Sequence, residues 1–224
     1  MPEDLAGLLA RPHVLLDFDG PVCAVYGGTS SRVVANHLRE RLRDGGAPVP
    51  ADIAATDDPL DVLRHAATID AGCLSRIESD FVGQEVAAVA TATATPGAAQ
   101  AVSALVAAGR TITIVSNNSA DAVRAYLKRA GLTGLVAGVA GRVPRRPDLM
   151  KPHPHLLREA MTALATTAAE CVMIGDSETD IEVAHLVGSP AVAFAHKPSK
   201  RARLEALDPE AIITSMFDVS TAVP

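Results

Sequence analysis

Cysteine is scarce. Cys23, Cys73 and Cys171 are the only three in 224 residues, an odd number at wide spacing with no CxxC pair, which excludes a disulfide framework and leaves them as reduced filler. Long apolar runs are missing too, since none approaches the ~18 residues a membrane span needs. Positive charge is in deficit: 20 Lys and Arg face 26 Asp and Glu, for a net charge of −6. That balance lacks the basic footprint of a nucleic-acid binder and fits a small-molecule substrate better. The opening segment "MPEDLAGLLARP" is acidic where a secretory leader is basic, and its apolar stretch is too short for a leader core, so a cytoplasmic protein is expected. Lysine is scarcer than arginine, and none occurs before Lys128.

What the chain does have is 48% hydrophobic residues, enough for one substantial core with an appendage. "HVLLDF" (13–18) reads as a continuous apolar run ending in charge, the pattern of a strand buried on both faces of a parallel sheet. From about 29 to 90 the apolar residues recur at helical spacing in "SSRVVANHLRERLRD", "PLDVLRHAATI" and "LSRIESDFVGQEVAAVA", broken at "GGAPVPAD" and near Ala71-Gly72. After "TATATPG", read as a helix end with a hinge, strands and helices alternate with short connections. The final strand of that alternation is "AIITSM". This predicts an α/β fold, a doubly wound, Rossmann-like parallel sheet core with an inserted α-helical cap. The expected division is 1–20 and 95–224 for the core and 21–94 for the cap.

In an open parallel sheet, ligands bind beyond the carboxyl ends of the strands. Four segments deliver polar residues there: Asp17 and Asp19 after the first strand, Ser116, Asn117 and Asn118 after "TITIV", Lys151 in "MKPHP", and Asp176, Glu178 and Asp180 after "VMIG". Each has a plain reading by itself. Asp19-Gly20-Pro21 suits a turn, "GDSETD" suits a capping box with Ser177 and Asp180, and Lys151 suits a solvated loop. Together they demand a cation, because two carboxylates ~4 Å apart repel by about 4 kcal/mol at an effective dielectric of 20. Oxygen ligands in an incompletely protein-ligated site suit Mg²⁺, and an anionic phosphate substrate then fits the donors at Ser116 and the following helix N-terminus. Lys151 adds positive charge for the transition state.

In this order, "DFDGP", "IVSNN", "KPHP" and "GDSETD" resemble the four motifs of haloacid dehalogenase-type hydrolases, and the helical insertion after the first motif resembles the phosphoglycolate phosphatase-like branch. Pro21 departs from that branch, where threonine is common. The resemblance implies a phosphatase acting on a small phosphorylated metabolite. Asp17 is the implied nucleophile, forming an aspartyl-phosphate, and Asp19 the acid-base. The Asp17 carboxylate, the Asp19 carbonyl and Asp176 are the implied Mg²⁺ ligands. Ser116 and the Asn117 N–H bind phosphoryl oxygens, Lys151 balances charge, and Asp180 orients Lys151 or a metal-bound water. Glu178 is left as a helix-start acid.

The second aspartate, Asp19, argues against halide chemistry. The absence of lysine from residues 21 to 95 excludes a cap Schiff base. Transfer of the phosphoryl group to a sugar hydroxyl, and a non-catalytic binding or regulatory module, stay open as alternatives. His153 and His155 make a poor metal pair beside a cation, "RVPRRPDLMK" reads as a solvated basic loop, and Arg32, Arg64 and Arg76 are candidate cap contacts to the leaving group. The leaving group itself and the oligomeric state are not encoded in helix patterning.

Overall fold

The computed structural model describes residues 4–223. A short helix α1 (Leu5–Leu9) leads into β1 (His13–Leu16). There follow β2 (Cys23–Ala24), α2 (Ser31–Asp44), α3 (Ala51–Ala55), α4 (Pro59–Ile69), α5 (Ala71–Thr91) and β3 (Thr93–Ala94). The alternating part then runs α6 (Ala98–Ala107), β4 (Thr111–Ser119), α7 (Ala120–Arg129), β5 (Gly138–Arg142), α8 (His155–Ala163) and β6 (Cys171–Gly175). It continues with α9 (Glu178–Val187), β7 (Ala191–Phe194), α10 (Pro198–Glu205), β8 (Ala211–Ile213) and α11 (Met216–Ala222). The doubly wound α/β fold expected from the alternation is what forms.

Six strands make one parallel sheet in the order β5-β4-β1-β6-β7-β8. β1 is the central partner: Leu16 registers with Ile114 of β4 on one side and Ile174 of β6 on the other. Successive strand residues face opposite ways. Val14 and Leu16 therefore enter one apolar layer, with α6, α7 and α11, while Leu15 enters the other, with α8 and α9. Because chain direction is shared, the carboxyl ends of β4, β1 and β6 lie side by side. That is the crevice in which such sheets bind ligands.

The helical block has an apolar centre of its own, built from Val34, Leu38, Leu63, Ile77 and Phe81 among others. Its helices start where side-chain caps are available: Ser30 accepts from the Val33 amide, Asp58 from Leu60 and Asp70 from Cys73. Helix α5 spans two environments. Cys73 through Phe81 pack into the block, whereas Ala88, Val89 and Ala92 pack into the sheet's own core.

Four local features depart from the sequence reading. Helix α3 forms inside the expected break after "GGAPVPAD", too short for an apolar period, and buried Arg39 donates to the Ile53 and Thr56 carbonyls at 3.1 and 2.6 Å to hold it. "TATATPG" contains β3, which pairs antiparallel with β2 as a two-residue ribbon at both crossings between the sheet and the helical block. The terminal "SMFDVST" is helical rather than an extension of β8. Its capping box, Ser215 with Asp218, is the three-residue spacing that marks a helix start. Finally, β4 continues past "TITIVS" through Ser119, with a register shift between Val115 and Ser119.

Candidate active site

The site is built from three strand ends and one loop. After β1 the Asp17 amide donates to the Ile174 carbonyl at 2.9 Å, extending the ladder one step and fixing Asp17 at the crevice. Phe18 points the other way and packs edge-on against Tyr126, with ring centroids 5.4 Å apart. The Asp19 carboxylate accepts from the Val25 amide at 2.9 Å. The chain then turns at Gly20, whose φ of +118° favours glycine and where a Cβ would stand 2.4 Å from the Asp176 carboxylate.

Lys151 occupies the middle. Its ammonium is almost wholly buried and donates to Asp17 Oδ1 at 2.8 Å, Asp180 Oδ1 at 2.5 Å and the Val115 carbonyl at 2.9 Å, which uses all three N–H bonds. Its backbone is clamped by Asn117, which accepts from the Lys151 amide at 2.8 Å and donates to the Lys151 carbonyl at 3.2 Å. Lys151 is therefore not a solvated loop residue.

Asp180 is held from both sides. Beyond Lys151, it accepts from the Asp176 and Ser177 amides at 3.1 and 3.0 Å and from the Ser177 hydroxyl at 2.7 Å. The plain reading of "GDSETD" is thus also correct, since Ser177 and Asp180 form the capping box of α9. Gly175 permits this: a Cβ there would lie 2.3 Å from the Asp180 Cβ. Glu178 faces Arg203 at 3.4 Å on the surface, as a helix-start acid would.

Charge explains what the geometry needs. Burial, with Asp180 adding repulsion and Lys151 opposing, raises the Asp17 pKa to about 8. Burial likewise raises Asp19 to about 6, against the pull of the Val25 N–H, and raises Asp176 against the pull of Lys200. Burial pulls Lys151 down, but Asp17 and Asp180 outweigh it, so Lys151 also shifts upward, and for a lysine that means it stays an ammonium. For the contact between Lys151 and Asp17 we therefore assign the charge to the lysine and the strain to the carboxylates. Fully ionised, the four carboxylates Asp17, Asp19, Asp176 and Asp180 would exceed the two ammonium groups of Lys151 and Lys200 by two negative charges, the complement of one divalent cation.

Carboxylate oxygens of Asp17, Asp176 and Asp180 lie within 4.8 Å of one another. Asp180 already accepts from Lys151, two amides and a hydroxyl, so Asp17 and Asp176 are the carboxylates with more capacity left to meet a cation. An all-oxygen donor set of this kind suits a hard ion such as Mg²⁺.

A cavity of about 580 Å³ opens over these groups. Asp17, Asp19, Ser116, Asn117, Lys151 and Asp176 line its floor, and Tyr26, Ser31, Asp57, Asp58, Leu60 and Arg64 line the side formed by the helical block. Of the three arginines singled out in that block, Arg64 reaches the cavity. Arg32 instead pairs with Asp57 at 2.8 Å, and Arg76 lies away near Gly45. His153 is exposed and His155 half-buried, with the His155 amide donating to His153 Nδ1 at 3.2 Å. Cys23 is buried beside Asp19, and its thiol is pushed up by burial.

Three residues were not apparent from sequence. Lys200, on α10, donates to the Asp176 carboxylate at 2.6 Å and to its carbonyl at 3.0 Å. Its only sequence signal is a cation shortly after the carboxyl end of β7, next to β6 in the sheet. Glu85 and Arg142 form a buried pair behind Ser116–Ser119, so "RVPRRPDLMK" is not uniformly a solvated loop. Glu85 was readable in one respect: it falls four residues after Phe81 and three before Ala88, on a buried stripe that is apolar apart from Glu78 and Glu85.

Residues 12–188 match the model of the haloacid dehalogenase-like hydrolases. The chain belongs to that family. Among curated relatives of this hydrolase, a phosphoglycolate phosphatase of Mesorhizobium japonicum is 32% identical over 126 residues, 56% of this chain and 54% of its own length. A pyrophosphatase PpaX of Bacillus mycoides is 34% identical over 70 residues, 31% of this chain and 33% of its own length. The chain spans about half the length of the first of the curated relatives it matches. A predicted phosphatase from Clostridium acetobutylicum has a similar solved structure, with a TM-score of 0.73 over 94% of this chain and 97% of that one, at 16% identity. At that identity the likeness concerns the fold alone. Among the described residues, no helix of the hydrolase is long and apolar enough to cross a membrane.

Proposed function

We propose that this hydrolase is a Mg²⁺-dependent phosphatase that cleaves a small phosphorylated metabolite through an aspartyl-phosphate on Asp17. The observation that carries the reading is the Lys151 ammonium fixed between Asp17 and Asp180, with Asp176 close by, on the floor of a cavity that Ser116 also lines. The names of the curated relatives agree with it in reaction class.

In this mechanism an Asp17 carboxylate oxygen attacks phosphorus in line, and the phosphorus–oxygen bond to the leaving group breaks. Asp19, with a pKa of about 6, gives its proton to the departing oxygen. A water then attacks the aspartyl-phosphate and Asp19 takes its proton, which regenerates Asp17 and frees inorganic phosphate. Lys151 holds Asp17 in place and offsets charge on the nucleophile, Asp180 holds Lys151, and Ser116 with the Asn117 amide receives the phosphoryl oxygens. The Asp17 and Asp176 carboxylates and the Asp19 carbonyl would hold Mg²⁺, which when bound supplies the charge neutralisation that lets an anionic nucleophile meet an anionic phosphate.

The same reading assigns residues 1–20 and 95–224 to the catalytic core and 21–94 to a cap that faces the leaving group. The test is release of inorganic phosphate from a panel of phosphorylated metabolites with and without Mg²⁺. Asp17→Asn should abolish release while leaving the far-ultraviolet circular dichroism unchanged. Turnover by that variant at the wild-type rate would contradict the assignment.

A further inference from the structure

Glu85 is fully buried, and its carboxylate is spent on four donors. Oε1 accepts from Arg142 Nη1 at 2.9 Å and Asn118 Nδ2 at 3.0 Å, and Oε2 accepts from Arg142 Nη2 at 2.9 Å and the Ser119 amide at 3.2 Å. Arg142 is equally buried, lies over the Phe81 ring at 4.5 Å, and also donates from Nη1 to the Asn117 carbonyl at 2.8 Å. We propose that Glu85 and Arg142 are positioning residues that set the shape of the phosphate-binding turn from a helix of the cap. This rests on the reading of Ser116 and Asn117 as the phosphoryl pocket.

The contacts run in one direction. Between Val115 and Ser119 the ladder of β4 with β5 is interrupted, so Ser116–Asn118 lack regular strand pairing and need other partners. Arg142 fixes the Asn117 carbonyl, and Glu85 fixes the Asn118 carboxamide. With its NH₂ committed to Glu85, Asn118 turns Oδ1 toward the Ser116 hydroxyl, which donates to it at 3.1 Å, while the Asn118 amide donates back to Ser116 Oγ at 3.1 Å. The orientation of Ser116 is thereby set through Asn118 by a carboxylate on α5.

A fork-to-fork pair of this kind is a weak source of stability, because desolvating both charges offsets most of their attraction. Its geometry, however, is strict. Glu78 sits two turns earlier on α5 and accepts from Arg142 Nε at 3.3 Å and from the Arg145 amide, and among the described residues it makes no hydrogen bond to residues 116–119. Glu78 is therefore an internal control: it shares the seam between helix and sheet without sharing the turn.

Tungstate, an oxyanion mimic of the phosphoryl group, is the probe, titrated calorimetrically into the full chain with Mg²⁺ present and well below each variant's melting temperature. Glu85→Gln and Arg142→Lys should each weaken tungstate about tenfold or more, the scale on which groups one step behind a ligand act. Glu78→Gln should stay close to wild type. Arg142→Lys keeps the charge and loses the fork, so it carries the test if Glu85→Gln does not fold. Wild-type affinity in the folded Glu85 or Arg142 variant, or an equal loss in Glu78→Gln, would overturn the inference while leaving the phosphatase reading in place. Wild-type affinity in Ser116→Ala would instead remove the phosphoryl pocket itself, and this inference with it.

Discussion

Asp17 and Asp19 stand one residue apart and meet different surroundings. Asp17 is fixed by a buried ammonium, whereas Asp19 holds one backbone N–H and faces the cavity with a pKa of about 6. If Asp19 donates its proton in the first step, it must be protonated to do so. Hence kcat/KM for a substrate with a poor leaving group should fall as pH rises through about 6, and 4-nitrophenyl phosphate, whose leaving group needs no proton, should flatten that limb. Asp19→Asn should slow the poor substrate by about 10² to 10⁴-fold. Stopped assays across pH 5 to 8, at roughly half-unit steps around that pKa, would check both. At this scale much was legible, because charge at the end of a buried strand is expensive and therefore conspicuous. Asp17, Asp19, Ser116, Asn117, Lys151, Asp176 and Asp180 do converge on one crevice. Lys200, Glu85 and Arg142 were not visible because each acts across a tertiary contact, and a polar residue on a helix reads by default as solvated.

Among the elements, β6 and α5 show how a single hydrogen in place of a side chain matters differently. Gly175 ends β6 where Asp180 packs directly on it, while Gly83 lies exposed in α5 with nothing within 4 Å of a Cβ. Gly175→Ala should therefore destabilise the fold by about 1–3 kcal/mol through overpacking. Gly83→Ala should stabilise it by about 0.5–1 kcal/mol by removing a flexible residue from a helix. Urea denaturation of the two variants checks the opposite signs. The strands and long helices were legible from periodicity. The β2–β3 ribbon and α3 were not, since two paired residues and five helical ones carry no period to read. Helix α11 had a usable signal in Ser215 and Asp218, overridden by the apolar run just before it.

For the whole molecule, the sheet edge supplies one wall of the cavity and the helical block the other, so under the proposed function the phosphoryl end and the leaving-group end of a substrate would meet different parts of the chain. Stability and metal should be linked through the same acids. The folded-state pKa values of Asp17 and Asp19, about 8 and about 6, lie above the ordinary aspartate value of 3.8. Between 3.8 and those values the folded chain keeps protons that the unfolded chain has released, so without metal this contribution to stability declines as pH rises through that window. Mg²⁺ should then raise the melting temperature more at pH 8 than at pH 5, which thermal denaturation with chelator and with Mg²⁺ would measure. The central claim is covalent chemistry at Asp17, and trapping tests it most directly. In Asp19→Asn, 4-nitrophenyl phosphate spares the first step and leaves the second slow, so acid quenching followed by peptide mass spectrometry should find a phosphoryl group on Asp17. A phosphoryl group on any other residue, or release of 4-nitrophenol at the wild-type rate by Asp17→Asn, would contradict it.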